Sequence, residues 1–154
     1  MIYIILALKA EAQAFIDKYK LDKSKKNDFI TLIVSGMGTQ NMYSATKKVV
    51  DMMGDDDKIV NVGICGASKE FKIGSLIDGF KTQIDCVDAE VCDESRCRVV
   101  DMESSGFFKA TKDIENKYMF KVVSDNFEPQ KVTKDRAKKL IFDNIDEIMK
   151  RVSL

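Results

Sequence analysis

Along the chain, short apolar runs bounded by turn residues alternate with stretches in which apolar positions recur every three or four residues. Residues 2–8 form the first such run and read as a buried strand, too short to cross a bilayer. Helical spacing follows over residues 10–19, with Lys9 to Glu11 at the opening and Ala14 and Phe15 facing inward. Residues 29–34 read as a second strand that ends at Ser35-Gly36-Met37-Gly38, and residues 41–53 as a helix with Met42, Ala45, Val49 and Met52 or Met53 on one stripe. A third strand over 59–62 runs into Gly63-Ile64-Cys65-Gly66, and shorter strands are predicted over 75–80 and 82–87. The spacing then predicts a helix over 102–111, a long strand over 118–123 and an amphipathic helix over 132–152. That last helix puts Leu140, Ile141, Ile145, Ile148 and Met149 on one side; Pro129 precedes it and Thr133 is placed to cap it. Residues 81–98 are polar and acid-rich, carry cysteines and are expected to be largely irregular.

Strand and helix alternating in this way predict an α/β fold, with three layers (α/β/α), a mostly parallel central sheet covered on both faces, and a single domain over residues 1–154. The N-terminal apolar run has no positive region before it and no small-residue cleavage site after it, which argues against a secretory signal. The four cysteines (Cys65, Cys86, Cys92 and Cys97) are then expected to be reduced thiols of a cytoplasmic protein, and their spacing lacks the paired CxxC of a zinc site.

Composition narrows the chemistry. With 25 Lys and Arg against 25 Asp and Glu, the chain lacks the clustered positive charge that drives nucleic-acid binding. The absence of histidine removes imidazole bases, serine–histidine–aspartate triads and histidine-ligated metals. The remaining catalytic groups are carboxylates, Ser, Lys, Tyr and Cys.

In open α/β sheets ligands collect beyond the carboxyl ends of the strands. The loops expected there carry Ala7-Leu8-Lys9-Ala10-Glu11, Ser35-Gly36-Met37-Gly38, Asn61-Val62-Gly63-Ile64-Cys65-Gly66-Ala67 and Ser124-Asp125-Asn126, with Val100-Asp101-Met102-Glu103-Ser104 leading into a further helix. Taken singly, each has a structural explanation. Glu11 complements a helix dipole, the glycines permit tight turns, Ser124-Asp125 forms a turn or a cap, and Met102 fills a core. Asp101 and Glu103 are two apart, so on a helix they diverge and do not share a site.

In their order along the chain these segments, with Lys72-Ile73-Gly74-Ser75-Leu76-Ile77, resemble the purine nucleoside phosphorylase/nucleosidase superfamily, and most closely its methylthioadenosine/S-adenosylhomocysteine nucleosidases. The resemblance covers roughly two-thirds of the chain and implies a role for each matching residue. Asp125 would protonate or hydrogen-bond N7 of a purine, oriented by Ser124. Glu103 would bind sugar hydroxyls while Met102 packs on the sugar face, and Glu11 would position an attacking water. Met37, Cys65 and Gly66 fall where the family lines the sugar and nucleophile pocket. The implied partner is a small-molecule purine nucleoside, with no nucleic acid, no membrane, no cofactor and no metal, and the implied assembly is a homodimer.

The chemistry suits a chain without histidine. Cleavage of an N-glycosidic bond passes through an oxocarbenium-like state that carboxylates stabilise. One carboxyl serves the departing base and another holds water on the opposite ring face, roles that Asp125 and Glu11 divide if burial raises the pKa of Asp125. Hydrolysis is favoured over phosphorolysis, because Arg96, Arg98, Arg136 and Arg151 all lie outside the first three strand-end loops and Glu11 would repel phosphate. Between Ile77 and Val100 the chain has fewer residues than full-length members of the family, so the resembled fold is truncated in the middle, where those members hold the base; Phe80 and Phe127 are the aromatic candidates to replace that contact. A nucleoside-binding relative without activity, a phosphorylase that borrows an arginine from a neighbouring subunit, and a purely structural assembly module are the alternatives.

Overall fold

The computed structural model describes residues 1–90 and 97–154, and Cys92 and Arg96 therefore lie outside the described residues. The elements in chain order are β1 (Ile2–Leu6), α1 (Lys9–Tyr19), β2 (Ile30–Val34), α2 (Thr39–Val50), β3 (Lys58–Ala67), β4 (Leu76–Asp78), β5 (Asp85–Cys86), β6 (Val99–Asp101), α3 (Ser104–Ala110), β7 (Lys117–Asp125) and α4 (Lys134–Ser153). Each long strand is followed by a polar loop and, for β1, β2 and β7, by a helix that returns the chain to the opposite end of the sheet. β2, β1, β3 and β7 accordingly lie side by side and parallel. The short β4 closes the β7 edge antiparallel.

Both faces of this sheet are covered, as near-continuous apolar strands require. On one face α1 and α4 bury Phe15, Ile141, Ile145 and Ile148 against Ile4, Leu6, Val60 and Phe120. On the other, Met42 and Val49 of α2 and Phe107 of α3 pack on Ile5, Ile59 and Met119. The three-layer α/β/α arrangement expected from the alternation is present. Thr133 caps α4 as expected, accepting a hydrogen bond from the Arg136 N–H at 3.1 Å. α2 ends at Val50, two residues before Met52, which is left 65% exposed and off the buried stripe. Among the described residues no helix is long and apolar enough to cross a membrane.

One feature of the sheet makes room for a site. β3 pairs with β1 only as far as Asn61, then pairs with β6, antiparallel, from Gly66. Between those points the β1-side edge of Val62 to Cys65 faces a fork in the sheet. The spacing predicted a strand of four residues here; it runs for ten because Gly63 and Gly66 stay in the ladder. A Cβ on Gly63 would sit 3.2 Å from Glu11 Oε1 and 3.3 Å from Lys121 Nζ, so a side chain there would crowd two charged groups. The two short predicted strands shrink to Leu76–Asp78 and Asp85–Cys86, while Val99–Asp101, read as an approach to a helix, is a strand held by β3 and β5.

Candidate active site

Beyond the fork lies a cavity of about 240 Å³. The residues to which the family resemblance gives a role line it: Glu11, Met37, Cys65, Gly66, Met102, Glu103, Ser124 and Asp125. They come from five separate segments, brought together because the strand ends and the first helical turns share one side of the sheet.

Glu11 is 2% exposed. Its Oε2 accepts hydrogen bonds from the Ala7 and Leu8 N–H groups at 3.1 and 2.9 Å, and its Oε1 accepts from the Ile64 N–H at 3.0 Å. The last of these donors is free because β3 lacks a strand partner at the fork. Burial nonetheless dominates and raises the Glu11 pKa to about 7, against the opposing effects of those donors and of Lys121. Glu103 is also buried, and burial raises its pKa; the Lys121 charge and the N–H groups of Gly38 and Met102 act the other way. Met102 N–H donates to its Oε2 at 3.0 Å.

Asp125 sits at a β-bulge. Cys65 pairs with Val123 and Gly66 with Asp125, so Ser124 is the extra residue. The bulge turns the Ser124 hydroxyl to donate to Asp125 Oδ1 at 2.7 Å, with the Cys65 carbonyl oxygen a more distant acceptor at 3.1 Å. Asp125 Oδ2 accepts the Glu128 N–H at 2.9 Å. Two donors thus hold this carboxyl on the cavity wall. Burial pushes the Cys65 thiol far above its ordinary value, which removes it as a nucleophile. Met37, by contrast, is 57% exposed at the rim.

Two expectations are corrected. Asp101 and Glu103 both face the cavity, because Asp101 ends β6 and Glu103 precedes α3, and neither lies in a helix. Phe80 and Phe127 are not among the residues lining it. Phe80 packs edge-on against Phe108 at 5.1 Å, and Phe127 is buried with φ of 59° in the turn after β7. The lining also includes Val87, Glu90, Val100, Pro129 and Val132.

The sequence reading missed Lys121. This residue lies in β7, is 2% exposed, and places its ammonium 2.9 Å from Asp101 Oδ2. Burial opposes its charge, but Asp101, Glu103 and Glu11 together raise its pKa above that of ordinary lysine. A lysine among Phe120, Val122 and Val123, in a strand buried on both faces, was the available signal. Among the described residues no group of three or more Cys, Asp or Glu is disposed to hold a metal ion.

No family model matches the chain, and no curated protein matches its sequence. Solved structures do match its fold. A putative 5′-methylthioadenosine/S-adenosylhomocysteine nucleosidase from Francisella philomiragia superposes with a TM-score of 0.76 at 13% identity, over 99% of this chain and 98% of that one. The corresponding nucleosidase of Helicobacter pylori, solved with butyl-thio-DADMe-Immucillin-A, gives 0.76 at 12% identity over 99% and 97% of the two chains. The futalosine hydrolase of the same organism gives 0.69 at 13% identity, over 95% and 97%. The fold is therefore the one these solved structures share.

Proposed function

We propose that this protein is an N-glycosyl hydrolase that cleaves a purine nucleoside such as methylthioadenosine or S-adenosylhomocysteine. The observation that carries the reading is convergence: carboxylates chosen from separate sequence segments, Glu11, Glu103 and Asp125, all line one cavity with Lys121 beside them.

The roles are those that the family resemblance implies. Asp125, held by Ser124 and the Glu128 N–H, meets the purine and eases departure of the base by hydrogen bonding or protonation at N7. Glu103 and Met102 lie where the sugar rests, and the Glu103 carboxylate takes its hydroxyls. As the glycosidic bond lengthens, positive charge grows on the sugar, and the surrounding carboxylates stabilise it with little reorganisation. Glu11, with a pKa near neutrality, accepts a proton from the attacking water. Water then supplies hydroxide to the anomeric carbon, and the base leaves with the proton delivered to it.

Water is favoured over phosphate as nucleophile. Lys121 is the cation of the cavity among its described residues, and Asp101, Glu103 and Glu11 surround it. A phosphate dianion would meet those three carboxylates. The test is adenine release from methylthioadenosine and S-adenosylhomocysteine, with inosine and guanosine as further substrates and phosphate present or absent. Phosphate-independent turnover that falls at least a hundredfold in Asp125→Asn is expected. No turnover with any nucleoside, or turnover that requires phosphate, overturns it.

A further inference from the structure

At the floor of the cavity, behind the residues that would touch a nucleoside, lies a chain of contacts that starts at Ser104. This residue opens α3 and is 1% exposed. Its backbone N–H donates to Asp101 Oδ2 at 2.9 Å and its hydroxyl donates to Asp101 Oδ1 at 2.5 Å. Both carboxylate oxygens are therefore gripped by one residue. Asp101 Oδ2 also receives the Lys121 ammonium at 2.9 Å. The Lys121 Nζ and Glu11 Oε1 in turn approach the same point, the position a Gly63 Cβ would occupy, at 3.3 and 3.2 Å.

A helix-capping aspartate needs no buried lysine. A buried ion pair is also a weak way to gain stability, since desolvating both charges costs about what their attraction returns. The pair makes better sense as part of the electrostatics of the cavity it borders. From the geometry we propose that Ser104 is a positioning residue of the hydrolytic site: by clamping Asp101 it fixes the Lys121 ammonium against Glu11 and Glu103, and so sets the charge balance where water is activated. The inference rests on the nucleosidase reading for its consequence in catalysis, but its electrostatic content does not.

Glu11 is faced by Lys121 from β7 and by Glu103 from the loop before α3, with Asp101 behind Lys121 on β6. Lys121 is the cation that opposes the effect of burial on Glu11. Removing the Ser104 hydroxyl loosens Asp101, lets the ammonium shift away from Glu11, and moves the Glu11 titration to higher pH. No substrate contact is lost, so nucleoside binding changes little.

The experiment compares wild type with Ser104→Ala, Ser104→Cys and Ser104→Thr. In the hydrolysis of methylthioadenosine, Ser104→Ala is expected to lower kcat roughly tenfold at neutral pH with KM within about twofold. The acid limb of its rate profile moves up by about half a pH unit or more. Ser104→Thr, which keeps the hydroxyl, restores the wild-type limb if its extra methyl is accommodated, and Ser104→Cys, nearly isosteric with a weaker donor, falls between. A loss of kcat with no movement of the limb reduces Ser104 to a structural cap and overturns the proposal. Because the same titration alters folding, urea midpoints from pH 5 to 8 give a reading that needs no substrate: Ser104→Ala must shift the pH window in which stability is lost. If wild type hydrolyses no nucleoside, the nucleosidase reading fails while these midpoints still decide the Ser104 proposal; unshifted midpoints overturn it.

Discussion

Glu11→Gln is the most direct test of the charge arrangement, because it can be read without knowing the substrate. The carboxyl titrates at about 7 in the folded protein and near 4.5 when unfolded. Over that interval the folded state holds a proton that the unfolded state has released. The contribution of Glu11 to stability is therefore intact below pH 4.5, falls as pH rises and is fully lost above about 7. Each pH unit is worth 1.36 kcal/mol, so the penalty at pH 8 is about 3 kcal/mol. In a domain of this size that corresponds to a change of about 6 to 12 °C in Tm. The amide carries no charge and cannot titrate. It fits the three N–H donors less well, at a cost of about 1 kcal/mol, but that cost is the same at every pH. The difference in unfolding free energy between variant and wild type should thus move by about 3 kcal/mol in favour of the variant between pH 5 and pH 8. Urea denaturation at pH 5, 6, 7 and 8 measures it. Subtraction removes the other titrating groups, apart from a small coupling through Glu103 and Lys121. Parallel curves for the two proteins, within 1 kcal/mol, would refute a buried, protonatable Glu11. If Glu11 also activates water, wild-type kcat/KM rises with pH toward a plateau above about 7, and Glu11→Gln loses at least a hundredfold.

Three further predictions concern the frame around the site. Gly106→Ala places a Cβ 2.2 Å from the Thr39 carbonyl oxygen and 3.0 Å from the Tyr43 nitrogen, both backbone atoms of α2. The helices must separate, so a loss of about 2 to 3 kcal/mol in urea denaturation is expected despite alanine's better helix propensity, whereas a stabilised variant would show that the packing is loose. Lys121→Met leaves Asp101, Glu103 and Glu11 without their cation and should cost about 3 to 5 kcal/mol at pH 8, less at pH 5; Lys121→Met with Asp101→Leu should recover most of that stability while activity stays absent. Thr133→Ala removes the α4 cap and should cost about 1 kcal/mol in urea denaturation with no change in kcat, α4 being held to the sheet through Ile141, Ile145 and Ile148.

The strands that were legible in the sequence are those whose neighbours in space cover both faces. Residues 2–6, 30–34 and 117–123 show as mostly apolar runs, broken by Thr31, Lys117 and Lys121, because helices lie above and below them. What the pattern concealed was the second half of β3. Glycine weakens a strand signal, yet Gly63 and Gly66 are in the ladder because Glu11, Lys121, Val100 and Asp125 crowd the space their side chains would fill. β6 was hidden because its three residues gain strand geometry by pairing with β3 beyond the fork and with β5. Helical spacing makes Asp101 and Glu103 diverge, whereas the last strand residue and the residue before the helix obey no helical spacing. Motif order brought the strand-end candidates, though not Phe80 or Phe127, to the cavity, since motifs at strand ends share one side of a parallel sheet whatever the intervening chain does. It gave no hint of the Lys121–Asp101 pair, which joins strands lying on opposite edges of β3.

That fork links the architecture to the chemistry. A strand that changes partner leaves backbone donors unpaired at the point of change, and a buried unpaired N–H is costly. Glu11 supplies an acceptor to Ile64 at that gap and is itself desolvated by filling it. The group that satisfies the sheet therefore becomes the group with a pKa near neutrality, in a chain that has no histidine to provide one. A second charge is then required, for three neighbouring carboxylates without a cation would repel one another strongly in a low dielectric. Lys121 meets that need from β7, on the fully paired edge of β3, and Asp101 fixes it from β6, beyond the fork on the opposite edge, so the ion pair spans β3 at Gly63. On this account Asp101→Asn should do more harm than loss of one hydrogen bond: one of the two hydrogen bonds from Ser104 persists to the remaining oxygen, but the counter-charge is gone, and Lys121 faces Glu11 and Glu103 alone and is drawn toward them. Glu11 is then held ionised to lower pH, and the acid limb of kcat/KM in Asp101→Asn should move down, opposite to Ser104→Ala. Movement in the same direction in both variants would refute the order of contacts from Ser104 through Asp101 and Lys121 to Glu11.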